Sequence, residues 1–97
     1  MIIEQLSQKE VLVQIFKALS DPVRLTIIKM LYDENREMSC GEIGEKLDIT
    51  KSTASYHFKN LRDVGLTITT KTGKNKYVRL NSKMFDQFLP GFLDTLQ

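Results

Sequence analysis

Apolar positions first recur at helical spacing, from about Glu4 to Leu19. There Val11, Leu12, Ile15, Phe16 and Leu19 fall at i, i+1, i+4, i+5 and i+8. Ser20-Asp21-Pro22 ends that stripe and opens the next. Asp21 suits an N-cap, and Pro22 suits the first helical position, where an N–H has no intrahelical partner. A second helix is expected to about Tyr32, with Leu25, Ile28, Leu31 and Tyr32 inward, before the polar run Asp33-Glu34-Asn35-Arg36-Glu37 stops it. Ser39-Cys40-Gly41-Glu42 reads as a capping box, in which Ser39 caps the Glu42 N–H and Glu42 reaches back. It opens a short helix carrying Ile43 and Leu47. After the connector Asp48-Ile49-Thr50, Thr50 caps a helix from Lys51 to about Val64, and Gly65 fits the left-handed residue that closes it.

Beyond Gly65 the period changes from helical to alternating. Leu66 to Thr72 and Lys76 to Leu80 are rich in β-branched residues, and Thr72-Gly73-Lys74-Asn75 supplies the turn between them. Leu66, Ile68, Val78 and Leu80 are expected on the inner face. The tail from Ser82 to Gln97 carries Met84, Phe85, Phe88, Leu89, Phe92, Leu93 and Leu96 on one helical stripe, with Pro90 predicting a kink or a break. Two short helices joined tightly and followed by a hairpin make a winged helix-turn-helix. The expected fold is mainly α, with about five helices and a two-stranded wing, in a single domain over residues 1–97. The helix-turn-helix spans about 40–64 and the wing about 66–80.

Composition narrows the function. The longest apolar runs, such as Val11-Leu12-Val13, are three residues long, whereas a membrane-spanning helix needs about 20. The N-terminus shows neither the basic flank nor the apolar block of a secretory signal, so a cytoplasmic location and no membrane partner are expected. A lone cysteine, Cys40, and a lone histidine, His57, cannot supply an internal disulfide or an all-protein zinc cage. They also offer no nucleophile–base constellation, so an enzyme is not expected.

Charge adds a direction. Overall the chain is only +2, yet between Thr50 and Leu80 the residues Lys51, Lys59, Arg62, Lys71, Lys74, Lys76 and Arg79 face the single acid Asp63. That third is +6, and the remainder is −4. Such a field suits a polyanion, though charge alone does not separate this from a solvated surface. On the helix from Lys51, Ala54, Phe58 and Leu61 lie within about 40° of one direction and mark the core face. Ser52, Tyr56 and Lys59 oppose them, flanked by Thr53, Ser55 and Asn60. Short hydroxyl side chains let a helix approach a DNA groove, and an aromatic ring can meet a thymine methyl. Lys51, Thr53, Lys74 and Lys76 are therefore expected on phosphates of double-stranded DNA, and Ser52, Ser55, Tyr56 and Lys59 on bases. His57, at the border of the helix, is expected to make a structural hydrogen bond, with a phosphate contact as the alternative.

Three segments now carry a resemblance. Phe16-Lys-Ala-Leu-Ser-Asp-Pro-Val-Arg-Leu25, Thr50 to Leu66 with its Ser-x-x-Ser-x-His pattern, and Gly73-Lys-Asn-Lys-Tyr-Val-Arg-Leu80 resemble the arsenical-resistance repressor (ArsR/SmtB) family. The resemblance covers roughly residues 10–96. It implies a homodimeric winged helix-turn-helix repressor that binds a short palindromic operator and releases it on a signal. The helix from Lys51 to Val64 would then be the reader. The first and last helices, about 4–19 and 82–96, would form the dimer interface, through Leu12, Ile15, Phe85, Phe88, Leu89, Phe92 and Leu93. The tail's apolar stripe agrees, since exposed it would be an aggregation patch; packing on its own domain is the alternative.

The chain departs from that family where metals bind. Ser39-Cys40-Gly41 stands in place of a Cys-x-Cys, and the tail offers Asp86 and Asp94 but no histidine. No metal and no cofactor are expected, and the effector stays open. Cys40 begins a helix, where the dipole lowers a thiol pKa, which leaves a redox switch or an incidental side chain. The rival function is a winged-helix protein-interaction module in a larger assembly.

Overall fold

Local signals set most helix boundaries in the computed structural model, which describes residues 7–96. Helix α1, Gln8–Leu19, starts on a complete capping box: Ser7 accepts from the Glu10 N–H, and the Glu10 carboxylate accepts from the Ser7 N–H. The expected start at Glu4 lies outside the described residues. Helix α2, Pro22–Glu34, begins on Asp21, whose Oδ1 accepts the N–H groups of Val23 and Arg24 at 2.8 and 3.1 Å. Asn35, left-handed at φ 52°, closes it. Helices α3, Cys40–Leu47, and α4, Lys51–Asp63, form the helix-turn-helix. Ser39 Oγ accepts the Glu42 N–H at 3.0 Å, and Thr50 Oγ1 accepts that of Thr53 at 3.1 Å. The expected box at Ser39 is only half made. Glu42 turns to Arg36 instead, at 2.6 Å, in an exposed ion pair.

The two-stranded wing is present as a hairpin, and a short third strand joins it in one sheet. Strand β1, Met38–Ser39, pairs antiparallel with β3, Asn75–Leu80, which also pairs with β2, Thr67–Thr72, so the sheet order is β1-β3-β2. A two-residue strand has too short a period to read from sequence. The register sets Thr69 opposite Val78 and Ile68 opposite Arg79. Thr67 and Thr69 therefore share the inward face with Val78, and Ile68 lies on the other, which corrects the expectation for Ile68. Gly65, at φ +84°, takes the tight turn into β2, and Leu66 is buried before the strand begins.

A single apolar cluster fills the centre. Val11 and Ile15 from α1, Ile27, Ile28 and Leu31 from α2, Ile43, Phe58, Leu61, Val78 and Phe85 all belong to it. The last helix, α5, covers only Ser82–Phe88. Pro90 forces Leu89 out of helical geometry, Gly91 turns the chain at φ +80°, and a 3-10 turn follows at Leu93–Leu96. So Pro90 breaks the helix expected over 82–96. The broken end folds back on the chain itself: Phe92 stacks on Phe85 with centroids 6.3 Å apart, and the Tyr32 hydroxyl donates to Asp94. That hydrogen bond, with partial burial, raises the Tyr32 pKa. Among the described residues, no helix is long and apolar enough to cross a membrane.

Candidate nucleic-acid interface

Helix α4 divides its side chains between two environments. Ala54, Phe58 and Leu61 are buried, as their spacing predicts, while Lys51, Ser52, Thr53, Ser55, Tyr56 and Lys59 are exposed. Between α4, the start of α3 and the wing lies a cleft of about 750 Å³. From α4 it receives Lys51, Ser55, Lys59 and Arg62; from the wing, Lys74, Asn75 and Lys76. Cys40, Gly41 and Glu45 close it from α3, over a floor that includes Ala54 and Phe58. The cations outnumber Glu45, the one acid lining it, so the concavity focuses a positive potential.

The structure thus brings Lys51, Ser55, Lys59, Lys74 and Lys76 together, and keeps Ser52, Thr53 and Tyr56 outside the cleft. Thr53 is tied into the helix start, where its hydroxyl accepts from that of Thr50 at 2.9 Å. Lys59 is partly neutralised, since its Nζ lies 2.8 Å from Asp63 Oδ2 and this contact holds the Asp63 pKa low. Tyr56, 62% exposed, lies on the other side, beside Arg24 of α2. Arg62 and Asn75 were not anticipated as site residues. Spacing would have found Arg62: about three turns beyond Lys51, it returns to the same side of the helix.

Two expectations about single residues resolve differently. His57 is 6% exposed, with Nδ1 3.3 Å from Arg24 Nη1 and 4.0 Å from Asp21 Oδ1, so it makes the structural hydrogen bond expected of it. For Cys40 the structure favours the incidental side chain of the two alternatives. Partial burial pushes its thiol pKa up, against a weaker pull from the charges of Lys76 and Arg62. Desolvation is the larger influence and disfavours the thiolate.

The expected interface residues also divide. Ile15 and Phe85 are 0% and 2% exposed and belong to the chain's own core, so neither has surface to offer a partner. Phe88, Leu89, Phe92 and Leu93 are half-buried against that core. Leu12 is half-exposed on the outer side of α1, next to Val13 and Phe16, which are 44% and 56% exposed. Those two outward neighbours were not anticipated.

A helix-turn-helix whose second helix faces outward beside a basic hairpin defines a winged helix-turn-helix of the DNA-binding class. A helix-turn-helix domain family matches residues 19–70. The chain is 57% identical over 90 residues to the Bacillus subtilis (strain 168) protein called "Uncharacterized HTH-type transcriptional regulator YceK", covering 93% of this chain and 90% of that protein. It is 37% identical over 86 residues to the arsenical resistance operon repressor of Staphylococcus xylosus, covering 84% of this chain and 75% of the repressor. The solved structure of HlyU from Vibrio cholerae superimposes with a TM-score of 0.77 at 30% identity, over 91% of this chain and 89% of that one. The protein belongs to the arsenical-resistance repressor (ArsR) family of helix-turn-helix transcriptional regulators. It is a DNA-binding regulator and not an enzyme.

Proposed function

We propose that the whole chain acts as one winged helix-turn-helix unit in a cytoplasmic, homodimeric repressor of a palindromic operator. In this reading it does not respond to metal through the family's known sites. The observation that carries the DNA reading is the shared cleft, where four cations other than the Asp63-paired Lys59 face the same space from α4 and the wing. Lys51, Arg62, Lys74 and Lys76 take phosphates, while Ser52, Ser55 and Tyr56 reach bases. Dimerisation is supported by the outward apolar face of Leu12, Val13 and Phe16, and by the need for two readers at half-sites about one turn apart. The interface then centres on α1, with the C-terminal segment at its edge. Repression is the role of the Staphylococcus xylosus relative, an arsenical resistance operon repressor.

The test is fluorescence anisotropy on labelled DNA from upstream of the protein's own gene, at two salt concentrations, with random-sequence competitor. Saturable binding at two chains per site that survives competitor and weakens steeply with salt is expected. Binding that competitor abolishes would overturn sequence-specific reading, and one chain per site would overturn the dimer.

A further inference from the structure

We propose that Arg24 is the residue that positions Tyr56 for contact with DNA, acting as a clamp across three helices. The inference rests on the DNA reading above and goes beyond it to a residue outside the cleft. Arg24 sits in the first turn of α2, where the Asp21 cap fixes its backbone N–H. From there its Nε donates to the Ala18 carbonyl of α1 at 2.7 Å. Its Nη1 lies 3.3 Å from His57 Nδ1 on α4, and its Cζ stands 6.0 Å from the Tyr56 ring centroid. The His57 ring meets Tyr56 edge-on, with centroids 5.3 Å apart and planes at 65°.

These contacts have a purpose that burial does not explain. Tyr56 projects outward, so the core does not fix its rotamer. Arg24 and His57 flank its ring, and ordering an aromatic side chain before it meets a partner lowers the entropic cost of binding. The cation over the ring face adds a directional attraction. Only a planar fork reaches a carbonyl, an imidazole and an aromatic face at once; a lysine at position 24 keeps the charge and loses the geometry.

The test uses a duplex enriched by the wild-type protein from a randomised library, compared with the unselected library. Arg24→Lys is expected to reduce discrimination between the two roughly tenfold, with little change on unselected DNA. Tyr56→Ala should mask that loss, because residues acting as a unit are not additive. His57→Asn, which keeps a polar group near the Nδ1 position, should retain more discrimination than His57→Leu. An NMR measurement on the folded wild-type protein and Tyr56→Leu reads the clamp without altering Arg24. The Arg24 Nε–H resonance should shift when the ring above it is removed. Unchanged discrimination in Arg24→Lys, additive losses with Tyr56→Ala, or an unmoved Arg24 resonance would each overturn the clamp. If the wild-type protein enriches no duplex, the DNA reading itself fails and the clamp falls with it.

Discussion

Helix α4 and the segment from Ser82 to Leu96 are both amphipathic, yet they use their side chains in opposite ways. On α4 a narrow stripe of Ala54, Phe58 and Leu61, with buried His57 beside it, holds the helix down, and the other faces are exposed. In the C-terminal segment nearly every large apolar group is drawn onto the chain itself, through the Phe85–Phe92 stack and the contact of Tyr32 with Asp94. Substitution should therefore separate the regions: stability changes at one end, recognition at the other. A helix that presents hydroxyls and one aromatic ring to solvent has kept them for a partner. The C-terminal segment buries Phe85 fully and packs Phe88 and Phe92 partway onto the same core.

The largest effect should come from Phe85→Ala. Removing a fully buried phenyl ring costs about 3–5 kcal/mol, a large share of a small domain's stability, and urea denaturation would read it. DNA affinity per folded molecule should hold; a large loss there would erase the contrast. Tyr56→Ala comes next and inverts the pattern. Its stability should stay within about 0.5 kcal/mol of wild type, while it loses roughly 1–3 kcal/mol of sequence discrimination in competition titrations.

Asp21 stands between the regions, because it caps α2 beneath the Arg24–His57 contact. Asp21→Ala should cost about 0.5–2 kcal/mol in thermal unfolding. Burial, the largest single influence on this carboxyl, acts to raise its pKa. The N–H groups of Arg24 and Val23, with His57 and the Arg24 charge close by, outweigh it and hold the pKa below the usual carboxylate value. The charge thus adds stability above the unfolded pKa and loses it as pH falls through the lower folded value. Asp21→Asn, which keeps the cap and drops the charge, should differ from wild type near neutrality and converge with it on acidification. The smallest effect is expected of Lys74→Ala, which should weaken all duplexes alike and reduce the salt slope by about one.

Legibility in the sequence followed the range of the interaction. Asp21-Pro22, Thr50 and Gly65 act on their immediate neighbours, and each boundary they mark is present. Strand β1 depends on Val78 and Tyr77, about 40 residues away, and no local pattern announces it. Hydrophobicity points Ile68 inward, but Thr67 and Thr69 have β-branched side chains too, and backbone register decides between them. The candidate DNA residues were visible as an exposed face, whereas their division into a cleft group and a Tyr56 group required the positions of α2 and the wing. Cys40 shows the same limit: a helix start was legible, and the burial that disfavours its thiolate was not.

Ser39 does two jobs at once, capping α3 through its side chain while its backbone lies in the sheet opposite Tyr77. The base of the hairpin is therefore welded to the helix-turn-helix, and only its outer half is free to bend. Mechanically this is a lever with a stiff root and a compliant tip. Hydrogen exchange should show that gradient, with slow amides beside Ser39 and Val78 and fast ones at Lys74.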